Sequence, residues 1–146
     1  MTAFHFRLEK VLALRRTQLE LEDARLKRQI AMVAELDRTR AQLEATAIQS
    51  EEEVRGWSPL PGQALAALAN FHAYTRHRAD ELTAQRRQAV GQLQAQQLVL
   101  LEARRRCRLL ERLEQRKRAE WQAAAASEVE QLAAESYLAG LVRRSR

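Results

Sequence analysis

The second half of the chain carries the most regular pattern of apolar residues. Positions separated alternately by three and four residues are two-thirds apolar. A 3.5-residue repeat held this long predicts a helix in a left-handed supercoil with a partner helix. The positions are Leu65, Leu68, His72, Thr75, Ala79, Leu82, Arg86, Ala89, Leu93, Gln96, Leu100, Ala103, Cys107, Leu110, Glu114, Lys117, Trp121 and Ala124.

The first half carries a similar but less regular stripe, interrupted by Arg40 and Ser50. Its apolar members are Leu26, Ile30, Val33, Leu36, Leu43, Ala47, Val54 and Trp57. Nearer the amino terminus, apolar residues are denser than one helix face requires, and include Phe4, Phe6, Leu8, Val11, Leu12 and Leu14. The pattern again predicts a helix that faces another helix.

One segment, Gly56–Gly62, separates the two stripes. It contains both prolines and two of the four glycines. Proline removes a backbone donor and forces the preceding residue out of the helical region, so a helix cannot pass through. We therefore predict an all-α fold, a long antiparallel two-helix coiled coil in one domain. The expected parts are a helix over 4–55, a hinge over 56–62, a longer helix over 63–140 and a basic tail over 141–146.

Folding back at the prolines pairs the first residues with Leu110–Leu113. About thirty residues at the carboxyl end then have no partner within the chain. Because an isolated helix is marginally stable in water, we expect this overhang to fray alone and to become ordered on a binding partner.

Composition also favours extended helices over a compact domain. Only 5% of residues are aromatic and 30% are charged, as in coiled coils. The net charge of +6 favours encounters with acidic surfaces. A lone cysteine, an amino terminus without a signal sequence and the lack of an apolar run of ~20 residues predict a cytosolic protein. It would reach a membrane only through partners.

The sequence contains no catalytic or cofactor-binding motif. We find no glycine-rich phosphate loop, no nucleophile elbow and no metal-spaced cysteine and histidine set. His72 and His77 are five residues apart and lie on different helix faces, while Cys107 falls on the apolar face as a small buried residue. We predict a protein that is not an enzyme and that binds no cofactor or metal.

Arginines are concentrated in the run from Arg104 to Arg108, which continues to Arg118. Glutamates three and four residues away permit local ion pairs on a solvated helix face. Alternatively, the run is a basic contact surface, because the predicted pairing places it opposite the apolar amino-terminal residues. Charge alone would also support sequence-independent nucleic-acid binding.

Two aromatic residues, Phe71 and Tyr74, flank the predicted interface positions His72 and Thr75. Edge packing against the first helix is one interpretation. The other is an aromatic anchor for a partner, since aromatic residues dominate interface energetics.

Three segments resemble the FliJ family of flagellar type III export proteins. They are Phe-x-Phe-x-Leu-Glu-x-Val-Leu-x-Leu-Arg from Phe4 to Arg15, Leu-Leu-Glu-Arg-Leu-Glu from Leu109 to Glu114, and Glu-Gln-Leu-Ala-Ala-Glu-Ser from Glu130 to Ser136. The Pro/Gly break after about fifty residues also fits the family layout. Family members often carry Asp-Glu where this chain has Ala134-Glu135.

The resemblance implies a coiled-coil stalk that inserts into the hexameric export ATPase and also engages the export-gate membrane protein at the cytoplasmic face of the inner membrane. Export chaperones are possible further partners, and no nucleic acid is expected. Our candidate contacts for the ATPase ring are Phe4, Phe6, Leu8, Leu12, Arg104, Arg105, Arg108 and Arg112. By position, Phe71 corresponds to the family's gate contact and Tyr74 is its neighbour. A virulence-type secretion stalk and a basic nucleic-acid or membrane adaptor remain the alternatives.

Overall fold

The computed structural model describes residues 3–59 and 61–144. Two helices occupy most of this range: α1 spans Glu9–Arg55 and α2 spans Gly62–Arg144. The two helices pack against each other, and the described residues contain no strand. The predicted all-α fold with a longer second helix is therefore confirmed. Leu60, within the predicted hinge, and the end residues 1–2 and 145–146 lie outside the described range.

The helix boundaries differ from the prediction at both chain ends. α1 begins at Glu9 instead of residue 4, because residues 3–6 are not helical and Arg7 and Leu8 form a turn. There Phe6 is buried with Leu12 and Cys107, and the Glu9 amide donates to the Phe6 carbonyl at 3.1 Å. α2 continues through Arg144, so residues 141–144 belong to the helix and do not form a separate tail.

The chain divides into two compact units. The end unit comprises Met1–Glu20 and Glu102–Arg146, and the hinge unit comprises Leu21–Leu101. In the hinge unit, four α2 residues are buried, and all four lie on the predicted three-and-four spacing: Thr75, Leu82, Ala89 and Leu100. The regular repeat therefore predicted the buried face of α2 correctly.

Polar contacts in the hinge unit show that the helices are antiparallel. Arg86 donates from Nε to Asp37 Oδ1 at 2.6 Å. Farther along α2, Gln96 Nε2 donates to the Glu22 carbonyl oxygen at 3.2 Å and also to its carboxylate. Because the α1 partner moves backwards as α2 advances, the two helices run in opposite directions.

Some predicted interface residues of the hinge unit are exposed. Ile30 is half exposed, and Gln29 occupies the inward position instead. The steps from Leu26 through Gln29 and Val33 to Leu36 are three, four and three residues, whereas the same path through Ile30 has steps of four, three and three, which breaks the alternation. Trp57 is also exposed, because the chain leaves the helix after Arg55 and helical spacing no longer applies.

Candidate interaction surfaces

The amino-terminal residues and α2 form an apolar cluster in the end unit. Phe6, Leu12 and Cys107 are buried, and Phe4, Leu19, Leu110 and Leu113 pack against them. The predicted pairing of the first residues with Leu110–Leu113 is thus confirmed. Among the candidate ATPase contacts, Phe6 and Leu12 are core residues of this unit and are 7% and 2% exposed, so they offer little surface to a partner.

Phe4 forms the exposed edge of this cluster. Its ring centroid lies 6.0 Å from that of Trp121, and the Arg118 guanidinium carbon lies 5.4 Å from the Phe4 centroid, within the range of a cation–π contact. Phe4 and Trp121 border an open groove of about 810 Å³ whose lining also includes Leu8, Leu113 and Lys117. The structure thus leaves Phe4 and Leu8 accessible and adds Trp121, which sequence reasoning had placed only in the interface.

Local ion pairs account for part of the arginine run. Arg106 pairs with Glu102 at 2.9 Å, Lys117 with Glu120 at 2.7 Å, and Arg118 with Glu114 at 3.0 Å. These contacts match the solvated-face interpretation. The exposed candidate Arg104 also has an interaction partner.

The remaining arginines form a second group, which we call the basic stripe: Arg105, Arg108, Arg112 and Arg116. All four are exposed, and none takes part in an ion pair within the described part of the chain. Their spacing of three, four and four residues places them on one helix face, opposite the face that carries Cys107. This face is available to an anionic partner.

The whole net charge of the protein resides in the end unit. That unit contains 15 basic and 9 acidic residues, whereas the hinge unit contains 10 of each. An acidic partner is therefore attracted to the end unit, and this attraction weakens with salt.

The carboxyl-terminal part of α2, residues 126–144, extends the same unit with exposed side chains. Large apolar residues are among them: Val129, Leu132, Tyr137, Leu138 and Leu141 are between 44% and 69% exposed. By helical spacing, Val129 and Leu132 lie on one side of this segment and Tyr137, Leu138 and Leu141 lie on another, so apolar side chains are exposed on more than one side.

Phe71 and Tyr74 lie together on the flank of α2 in the hinge unit. Their ring centroids are 6.5 Å apart at an interplanar angle of 30°. Phe71 is half-buried and Tyr74 is 59% exposed, as their flanking position predicted. One turn farther on, Arg78 donates to Glu81 at 2.7 Å, which lowers the pKa of that carboxyl. Charged side chains therefore lie about one helical turn from the aromatic pair and form its charged border.

Cys107 is only 3% exposed, and burial raises the pKa of its thiol, with the Glu111 charge acting in the same direction. Because the thiolate is the reactive form, we expect alkylation at pH 8 to be at least about tenfold slower in the native protein than in urea. Because the pKa of the Cys107 thiol is higher in the folded protein than in the unfolded chain, the unfolded chain loses this proton first. The free energy of unfolding should therefore fall as the pH rises above the pKa of the unfolded thiol. Equal native and denatured labelling rates would contradict the burial of this residue.

No group of acidic, histidine and cysteine side chains within the described residues could hold a metal ion. Nor is any helix in that range long and apolar enough to cross a membrane. Comparison with protein-family models, curated proteins and solved structures finds no match. The resemblance to FliJ therefore rests on the sequence segments themselves.

Proposed function

We propose that this protein is a non-enzymatic stalk and coupling protein of the flagellar type III export apparatus. In this proposal the end unit binds the hexameric export ATPase, and the aromatic pair in the hinge unit binds the export-gate membrane protein. The observation that carries the proposal is the composition of the end unit. It combines the entire net charge of +6 with an apolar groove and an exposed helical segment.

Each of these features suits insertion into a ring of ATPase subunits. The basic stripe attracts acidic ring residues, and the groove at Phe4 and Trp121 accepts an apolar side chain. A pair of helices has no sixfold symmetry, so its contacts with six identical subunits must differ. A ligand shifts a conformational equilibrium only through unequal affinity for the states. The unequal contacts are therefore the means by which the stalk would promote ring assembly and ATP turnover.

The gate contact is assigned to Phe71 and Tyr74 because they combine an exposed aromatic surface with a charged border. In our proposal this contact holds the protein at the cytoplasmic face of the inner membrane through its partner. The two binding surfaces then lie in different units, so one chain can serve both partners.

Co-purification tests the proposal directly. We expect the tagged protein, expressed in its own organism, to retain the export ATPase after nuclease treatment. Retention of nucleic acid that nuclease removes, with no ATPase, would contradict the proposal. That result would favour the adaptor alternative, for which the supporting observation is that the basic stripe forms no ion pair with the described residues. Recovery of a virulence-type secretion ATPase would assign the stalk to that system.

Replacing Phe71 by Ala should weaken binding to the cytoplasmic domain of the export gate by tenfold or more, since an aromatic interface anchor contributes about 2 kcal/mol or more. Leu65→Ala is the matched control, because Leu65 is half exposed on the same helix but outside the aromatic pair. Titration calorimetry measures both affinities, and circular dichroism checks that helicity is retained. Wild-type affinity in the Phe71 variant would show that the gate binds elsewhere.

A further inference from the structure

An open cleft in the hinge unit is lined by three arginines that come from both helices, and we call it the arginine cleft. Its volume is about 290 Å³. Arg40 lines it from α1, and Arg86 and Arg87 line it from α2 together with Thr83 and Val90. The four α2 residues are spaced by three, one and three positions, so they occupy one face of that helix. Among the described residues, no acidic side chain lines the cleft.

Two of the three guanidinium groups bind carboxylates that lie outside the lining. Arg86 donates from Nε to Asp37 Oδ1 at 2.6 Å and from Nη2 to Oδ2 at 3.4 Å. Arg40 donates from Nε to Glu44 Oε1 at 2.9 Å. These contacts use only some of the five N–H donors of each guanidinium. Nη1 of Arg86 and both Nη atoms of Arg40 form no hydrogen bond with the described residues, so both arginines keep donors for a ligand.

Arg87 keeps its whole guanidinium for a ligand. It is exposed and forms no ion pair or side-chain hydrogen bond with the described residues. The cleft therefore brings together three positive charges, of which Asp37 and Glu44 offset two. Like charges held close together repel each other, and a bound anion would remove this repulsion.

The number of donors favours a phosphate monoester over other anions. A carboxylate has two oxygens and is satisfied by one arginine fork. A phosphate monoester has three terminal oxygens and a charge of about −1.5 to −2 near neutral pH, so it can accept from all three guanidinium groups. The phosphodiester linkage of nucleic acids has only two terminal oxygens and one charge. Since the lining contains no aromatic side chain, the cleft would recognise the phosphate group and not a base or ring attached to it.

We propose that the arginine cleft binds a phosphate group, either as free phosphate or as a small phosphate monoester. Arg87 supplies a complete fork, and Arg40 and Arg86 supply the Nη donors that their carboxylates leave unused. Because the donors come from both helices, the bound phosphate links α1 to α2 and stabilises the folded hinge unit. This inference does not depend on the proposed function, since neither Phe71 nor Tyr74 lines the cleft.

Arginine Nε–Hε resonances of the full-length protein test the proposal by NMR. Phosphate is added up to about 20 mM while sodium chloride is lowered, so that the ionic strength and general screening stay constant. We expect saturable shifts for Arg40, Arg86 and Arg87. Arg28 is the internal control, because it is exposed in the same unit but outside the cleft. Shifts that do not saturate, or equally large shifts at Arg28, would overturn the proposal.

Substitutions with opposite expected effects give a second test. Arg87→Gln should raise the Kd for phosphate about fivefold or more, because it removes charge-assisted hydrogen bonds. Asp37→Asn should lower the Kd about twofold or more, because it removes a nearby negative charge and frees further donors of Arg86. Arg28→Gln lowers the net charge as Arg87→Gln does, and its Kd should stay within about twofold of wild type. Equal weakening by the two arginine variants would mean that phosphate responds only to net charge, which contradicts a cleft.

Three probes at one ionic strength distinguish the sources of the phosphate group. We expect inorganic phosphate and glycerol 2-phosphate to bind with similar Kd values, and dimethyl phosphate, a diester, to bind at least about fivefold more weakly, since it offers fewer oxygens and less charge. Binding of inorganic phosphate alone would support free phosphate as the ligand. Equally tight binding of dimethyl phosphate would overturn the assignment to a monoester and point to a nucleic-acid backbone.

Discussion

A chain truncated after Gln122 should lose most of its ability to stimulate the export ATPase while the paired helices remain folded. The truncation removes the exposed large apolar residues from Val129 to Leu141 and leaves the buried cluster of Phe6, Leu12 and Cys107 intact. Because the deleted side chains contribute little to the core, we expect the thermal midpoint to change by only a few degrees. ATP hydrolysis measured against stalk concentration should show a loss of about tenfold or more in stimulation.

A full-length control separates the length of the helix from its apolar surface. Val129→Asn with Leu132→Asn keeps the chain length but removes two apolar contacts, and we expect it to lose stimulation as the truncation does. Undiminished stimulation by the truncated chain would contradict a role for the tail in ATPase binding. If only the truncated chain loses stimulation, the effect comes from the length of the helix and not from its apolar side chains.

Leu82→Asn should destabilise the protein by about 3 kcal/mol or more, because it removes a side chain that is 2% exposed and buries an amide in its place. Leu98→Asn is the matched control. Leu98 lies on the same helix and in the same unit, and it is 69% exposed. Both substitutions have a similar cost in helix propensity, so Leu98→Asn should lower the free energy of unfolding by only about 0.5 kcal/mol.

Urea denaturation followed by circular dichroism measures both free energies of unfolding. Equal destabilisation by the two asparagines would mean that Leu82 does not face α1. It would also mean that the three-and-four spacing does not identify the buried positions of α2.

Much of the fold was predictable because the sequence concentrates its helix breakers at one point and keeps one register elsewhere. Leu82, Leu100 and Cys107 are buried where the repeat places them. Hydrophobicity alone misled at Ile30, because the register requires position 29 and so turns the polar Gln29 inward. The Gln29 side-chain oxygen is buried and has no hydrogen-bond partner in the described part of the chain, a cost that only tertiary packing can offset.

The candidate surfaces were less predictable, since they depend on contacts between distant parts of the chain. The groove at Phe4 forms because residues 3–8 precede α1 and are not helical. The helix propensities of these residues do not indicate that the helix begins only at Glu9. Similarly, the sequence shows the arginines as a single run. Only the observed ion pairs separate Arg106 and Arg118, which bind neighbouring glutamates, from Arg108 and Arg112, which do not.

Site-specific photo-cross-linking in living cells tests the two-partner account most directly. A photoreactive amino acid replaces either Arg112, in the basic stripe of the end unit, or Tyr74, in the aromatic pair of the hinge unit. We expect the first position to cross-link to the export ATPase and the second to the export-gate protein. Cross-linking of both positions to one partner, or of neither position to either protein, would contradict it.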